Sequence, residues 1–187
     1  MQRGSIAFIV VASLAVAKPA PAWGPVPQAE PPRSFAVAPP PPAEKPRELM
    51  LWLLGQNESE RRCLALTIYW EARAEPPEGQ AAVAHVVLNR VGQRGFADTI
   101  CGVVHQGGRH FPCQFHWYCN GSDPTPRNQA QWDDAQTVAR RALEEGNSDP
   151  TEGALYFYRV ALHPAWAATR FKRRRVIGHH VFLGRRT

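Results

Sequence analysis

The chain has 187 residues, 44% apolar and 20% charged, enough for one ordinary domain and too mixed for wholesale disorder; a membrane transporter is excluded. Its formal charge of +6 is unevenly spread: residues 170–187 carry seven Lys/Arg and no acid, while the chain before Arg170 has fifteen basic against sixteen acidic residues. A positive C-terminal segment suits an anionic polymer such as wall polysaccharide, nucleic acid or a lipid surface, and by itself names none of them.

The first 22 residues have the layout of an export signal. Arg3 supplies the positive start, residues 6–17 are apolar, and Ala15-Val16-Ala17 or Ala20-Pro21-Ala22 offers small residues for cleavage. The apolar run falls short of the ~20 residues that span a bilayer core, so a removed signal is expected. Left uncleaved, it would tether the protein to a membrane. Export implies the periplasm or cell envelope. Eleven of the 18 prolines fall in residues 18–46. That segment has too few large apolar side chains to bury a core and is expected to be a disordered, partly polyproline-II linker reaching roughly 90 Å at ~3.1 Å per residue. The globular domain is expected over residues 47–187.

This domain opens with apolar residues 49–54. Asn57-x-x-Glu60 then forms a capping box for a helix that runs through Arg73 or Ala74 until Pro76-Pro77 ends it. A second helix is predicted over 78–90, where Ala81, Ala82 and Ala84 permit close backbone approach and Val83, Val86 and Val87 supply bulk. A loop-rich middle covers residues 92–127. Asn128-x-x-Gln131 starts a third helix, with Trp132, Ala135, Ala139 and Ala142 at helical spacing and Gly146 as its stop. Residues 154–158 and 176–183 read as strands from their β-branched and aromatic content. Helices first and strands last predict an α+β fold.

Cys63, Cys101, Cys113 and Cys119 would meet an oxidising compartment, where an even count points to two disulfides. Of three possible pairings, Cys113 with Cys119 and Cys63 with Cys101 are favoured, although spacing leaves the connectivity open. A zinc site is the competing reading, because Cys101, His105, His110, Cys113, His116 and Cys119 crowd one stretch, without a paired C-x-x-C.

Glu71 follows Leu64 by seven residues and Ile68 by three, so it continues an apolar helical face. A carboxylate there, near the helix C-terminus and beside Trp70, loses water and feels the negative end of the helix dipole. Both effects favour its protonated form, which makes it a candidate general acid. The plainer reading is a surface glutamate paired with Arg73 or Arg90. Glu75 lies four residues on and would raise the pKa of both carboxylates if the helix continued. Paired glutamates suit glycosidic-bond chemistry. Phe111, Phe115, Trp117 and Tyr118, with Gln114 and Asn120 among them, and Tyr156, Phe157 and Tyr158 either fill the core or line a sugar-binding cleft.

Several ordered segments together resemble one family. They are Ile68-Tyr69-Trp70-Glu71-Ala72-Arg73-Ala74-Glu75, Glu78-Gly79-Gln80-Ala81-Ala82-Val83-Ala84, Val87-Leu88-Asn89-Arg90-Val91 and Thr99-Ile100-Cys101-Gly102-Val103-Val104. Further on come Cys113-Gln114-Phe115, Gly153-Ala154-Leu155-Tyr156-Phe157-Tyr158, Pro164-x-Trp166 and Ile177-Gly178-His179-His180-Val181-Phe182. The chain is thereby similar, over nearly all of residues 63–183, to the SleB/CwlJ-like cell wall hydrolases. The resemblance implies a lysozyme-like helical core with a small antiparallel sheet near the C-terminus. It also implies peptidoglycan as substrate, no cofactor, and Glu71 as the catalytic acid of an E-A-R-G-E motif. Spore enzymes of the family are lytic transglycosylases, which need one carboxylate; Glu75, Asp98 and Asp123 are the other acids weighed here. Glu75, Gln80, Asn89, Gln114, Phe115, Trp117, Tyr156, Tyr158 and His179 are the expected substrate contacts.

Two positions depart from the family pattern. Ala74 stands where glycine is usual and would be strained at positive φ, and His116 stands where serine is frequent. The alternatives to a glycan-cleaving enzyme are an N-acetylmuramoyl-L-alanine amidase, which would ordinarily want zinc, and a non-catalytic peptidoglycan-binding module. Nucleic acid is not an expected partner, because an exported chain rarely meets it and the basic run lacks a recognition fold.

Overall fold

The computed structural model describes Pro40 and residues 45–144 and 148–186. The expected signal, most of the linker and the Gly146 stop lie outside the described residues.

Helix α1 (Pro46–Gln56) has proline in its first turn, where a missing N–H costs nothing. Asn57 closes it and caps α2 (Glu58–Ala72), its Oδ1 accepting from the Ser59 N–H at 2.9 Å. The second half of the expected capping box does not form. The Glu60 carboxylate instead accepts from the Ile100 and Cys101 N–H groups at 2.7 and 3.1 Å. Those are the unpaired amides that open α4 (Ile100–Val104), and a carboxylate there is favoured by the helix dipole. The same junction carries the Cys63–Cys101 disulfide.

Helix α2 is the hub: Leu64, Ile68 and Tyr69 are fully buried, and it packs on α1, α3 (Pro77–Arg90), α4 and α6 (Gln129–Glu144). It ends at Ala72, earlier than expected, and Pro76 caps α3. Helix α3 is buried nearly all round, from Ala82 through Leu88. Asn128 caps α6 by accepting from the Gln131 N–H, and Ala135, Ala139 and Ala142 are its buried stripe. The loop-rich middle contains α4 and the single turn α5 (His116–Cys119), joined at its end by the Cys113–Cys119 disulfide.

The sheet has three antiparallel strands in the order β1-β3-β2: β1 (Tyr156–Arg159), β2 (Phe171–Ile177) and β3 (His180–Arg185). Residues 176–183, expected as one strand, form the tip of the β2–β3 hairpin. Gly178 turns the chain at φ +54°, and a Cβ there would meet Glu75 Oε2, so both backbone conformation and space favour glycine. Strand β2 covers the basic run, and a six-residue helix α7 (Ala165–Arg170) precedes it. Phe182, Ile177 and the partly buried Phe157 pack with α3 and Ala72. Tyr156, Tyr158 and Phe171 pack with Val181, Leu183 and Ala167 in a separate cluster under α7.

Candidate active site

Glu71 occupies the last turn of α2 and is half-buried. Loss of water pushes its carboxyl up to about 7, against the opposing pull of the Arg90 guanidinium. Among the described residues no hydrogen-bond donor satisfies this carboxylate. Arg73 does not pair with it but stacks over the Tyr69 and Trp70 rings at 5.2 and 5.0 Å. Trp70 is fixed in turn by its Nε1–H donating to the Pro124 carbonyl, and the Tyr69 hydroxyl accepts from the Arg127 and Asn128 amides. The helix end that presents Glu71 is therefore held on both flanks.

Arg90, raised at first only as a surface partner, is a buried cation at the end of α3. Its Nε–H donates to the Leu155 carbonyl at 2.7 Å, and its guanidinium lies over Phe96, Phe115 and Tyr156 at 5.1–5.6 Å. Nη1 is buried without a hydrogen-bond partner among the described residues. Burial lowers the Arg90 pKa to about 10, with Tyr156 and Glu71 opposing, so the group stays cationic at neutral pH. Arg90 extends the stripe Val83, Val86 and Val87 by the same spacing that singled out Glu71, and that signal was available in the sequence.

Glu75 differs from the expectation of a coupled pair with Glu71. With α2 ended at Ala72, its buried carboxylate reaches across to the β2–β3 turn. There it accepts from the His179 N–H at 2.8 Å and meets the His179 and His180 Nδ1 atoms at 3.2 and 3.6 Å. Burial alone would raise its pKa, but these contacts overcome burial and hold it below the ordinary carboxylate value. Burial drives His180 the other way for a base, below its usual range, opposed by Glu75.

The remaining expected contacts divide. Phe115 and Tyr156 flank Arg90, but Phe115 is buried in the core rather than open to substrate; Gln114 beside it and Tyr156 are partly buried. Gln80 donates to the Glu75 carbonyl, and His179 is largely exposed beside Glu75. Asn89 points elsewhere, donating to Asp149 at 2.8 Å and the Ala154 carbonyl at 3.2 Å. Burial would raise the Asp149 pKa, but its bonds from Thr151, Asn89 and Gly153 keep it low, and they shape the loop into β1. Trp117 is core, with Nε1 buried and unpartnered among the described residues. Tyr158 lies in the cluster under α7. Asp98 and Asp123 are exposed, and Asp123 is occupied by Thr125.

The structure has the favoured disulfides, Cys63–Cys101 and Cys113–Cys119. All four thiols of the alternative metal reading are thus paired, and among the described residues no group of three or more His, Cys, Asp or Glu side chains is arranged to hold a metal ion. Ala74 does not require positive φ, a conformation found at one described non-glycine residue, Glu152. Alanine is unstrained there. His116 is exposed at the start of α5.

A sequence model of the family described as Cell Wall Hydrolase matches residues 74–183, beginning just after Glu71. Spore cortex-lytic enzymes of Bacillus subtilis (strain 168) and Halalkalibacterium halodurans are 33% and 31% identical over 132 residues, 68% of this chain. They are longer proteins, of which the match covers 38% and 36%. The catalytic domain of the Bacillus cereus SleB protein superposes with a TM-score of 0.56 at 30% identity, over 68% of this chain and 91% of that one. A Bacillus anthracis structure, titled as the catalytic domain of the germination-specific lytic transglycosylase SleB, gives 0.53 at 29% identity, with 96% of it covered. The expected lysozyme-like α+β fold is the architecture of these neighbours. With the family model spanning more than half of its length, the chain belongs to the cell wall hydrolase family.

Proposed function

We propose that this chain is an exported enzyme that cleaves the glycan strand of peptidoglycan as a lytic transglycosylase, with Glu71 as its single catalytic acid and base. The observation that carries this reading is the half-buried carboxyl at the end of α2, raised to about 7 and without a hydrogen-bond donor among the described residues. A group poised near the working pH serves equally well giving up and accepting a proton. Protonated Glu71 donates to the glycosidic oxygen as the bond to C1 of N-acetylmuramic acid breaks. The resulting carboxylate stabilises the oxocarbenium-like centre and then takes the proton from that sugar's 6-hydroxyl as O6 bonds to C1. The 1,6-anhydro ring closes and Glu71 is protonated again, so one carboxylate completes the cycle.

Arg90 keeps Glu71 from rising further and leaves the ionised form accessible near neutrality. Tyr156, partly buried and packed on Arg90, and Gln114 are the proposed sugar-facing residues, while Phe115 backs Arg90 from the core. The spore cortex-lytic relatives and the transglycosylase title of the Bacillus anthracis neighbour support the assignment. The signal-like first 22 residues and the two disulfides support action in the periplasm or envelope.

The test is mass spectrometry of soluble products from intact peptidoglycan treated with the purified full chain or its Glu71→Gln variant. Anhydro-muropeptides from the parent alone are expected. Reducing-end muropeptides would mean hydrolysis with a second catalytic group, free stem peptides an amidase, and binding without products a non-catalytic module.

A further inference from the structure

A cavity of about 760 Å³ lies beneath α7 and the segment leading into it. Its volume lies within the ~300–1,000 Å³ typical of small-ligand sites. Glu71 does not line it. Tyr158, His163, Phe171, Lys172, Arg173 and Arg186 do, and no acidic side chain joins them. The two aromatic rings of the wall, Tyr158 and Phe171, are backed by others: Tyr156 packs on Phe171 at 4.1 Å, and Trp166 meets Phe171 and Tyr158 edge-on at 5.7 and 6.1 Å. Trp166 and Leu162 remain exposed at this segment, 42% and 59%.

The cations around the cavity differ from their neighbour on the same strand. Arg175 is paired with Glu152 at 3.3 Å. Lys172 and Arg173 have no acidic partner among the described residues, and Arg186 is held nearby by its Nε–H donating to the Phe171 carbonyl. Aromatic faces pack on sugar rings, and unpaired Lys and Arg offer charge-assisted bonds to carboxylate or phosphate. We infer that this cavity is a second binding site, which takes an anionic group carried on a cell-wall polymer. The inference rests on the reading of the substrate as peptidoglycan and extends it: Tyr156, shared between Arg90 and Phe171, links the cavity wall to the Glu71 site. The anion is either a stem-peptide carboxylate or the phosphodiester of a wall polymer.

Binding is measured by calorimetry in full-length protein carrying Glu71→Gln, so that cleavage plays no part. Three probes are compared: glycan oligomers bearing tetrapeptides, the same oligomers with peptides removed, and poly(glycerol phosphate). Lys172→Gln with Arg173→Gln is expected to weaken one anionic probe at least tenfold and the peptide-free glycan less than twofold. Loss on the tetrapeptide probe assigns the carboxylate, and loss on poly(glycerol phosphate) assigns the phosphodiester. Tyr158→Leu, which removes no charge, is expected to weaken the same probe. Unchanged affinity for both anionic probes overturns the inference. An equal loss from Arg175→Gln also overturns it, by showing diffuse charge, as does tighter binding to phosphatidylglycerol vesicles than to either anionic probe. Failure of the parent to cut peptidoglycan would sink the enzymatic reading and leave these binding results standing.

Discussion

Glu71 and Glu75 lie four residues apart, both shed water, and their protons move in opposite directions. At Glu71 burial is opposed by a single cation, Arg90, and the proton is held up to about 7. At Glu75 burial is overcome by the His179 amide and the imidazoles of His179 and His180. Desolvation raises both, and the donors and cations at Glu75 reverse the sign there. The chain achieves the difference by ending α2 between them: Glu71 stays on the helix face, while Glu75 swings over to clamp the β2–β3 turn.

The largest expected consequence is at Glu71. Glu71→Gln should reduce glycan cleavage by about 10²–10⁴-fold, the usual worth of a general acid. The same change should stabilise the protein above neutral pH. A carboxyl raised from 4.5 to about 7 by folding binds extra protons in the native state, so native stability falls as pH climbs through that window. Glutamine removes a penalty of up to about 3 kcal/mol, visible in denaturant titrations at pH 8. Equal stability of the two proteins at pH 8 would break the contrast.

Glu75→Gln should do the reverse to stability, costing about 1–3 kcal/mol at pH 7 through loss of charge-assisted bonds, and lower Tm by several degrees. Because folding depresses this pKa, the Glu75 contribution is present above its ordinary value of 4.5 and is lost as pH falls through the lower native value. Gly178→Ala should cost a comparable amount, since the new Cβ meets the same carboxylate at positive φ. The smallest effect is expected from Arg90→Met. Removing the cation should move the alkaline limb of the cleavage profile upward by about one pH unit or less, measured on soluble glycan oligomers.

Helices α2, α3 and α6 were legible in the sequence because apolar spacing, Pro76-Pro77 and the Asn57 and Asn128 caps are local signals. Glu71 was legible for the same reason, as a polar residue continuing an apolar stripe. Strand β2 was not. It is an edge strand, and the charges of Lys172–Arg175 that disguise it as a solvated run are what edge strands carry. The hairpin turn was hidden because Gly178 was read inside a strand, and only Glu75 arriving from far in sequence shows why glycine stands there. Glu60 likewise abandons its local cap for the start of α4, a tertiary partner that no spacing rule contains.

Glu71 keeps its proton near neutral pH while Glu75 does not. Carbon-13 NMR of glutamate carboxyls, with the Glu71→Gln variant to assign the signal, reads this directly. A Glu71 midpoint close to 7 is expected, with Glu75 titrating below the usual carboxylate range. A Glu71 midpoint at or under 4.5 would contradict it.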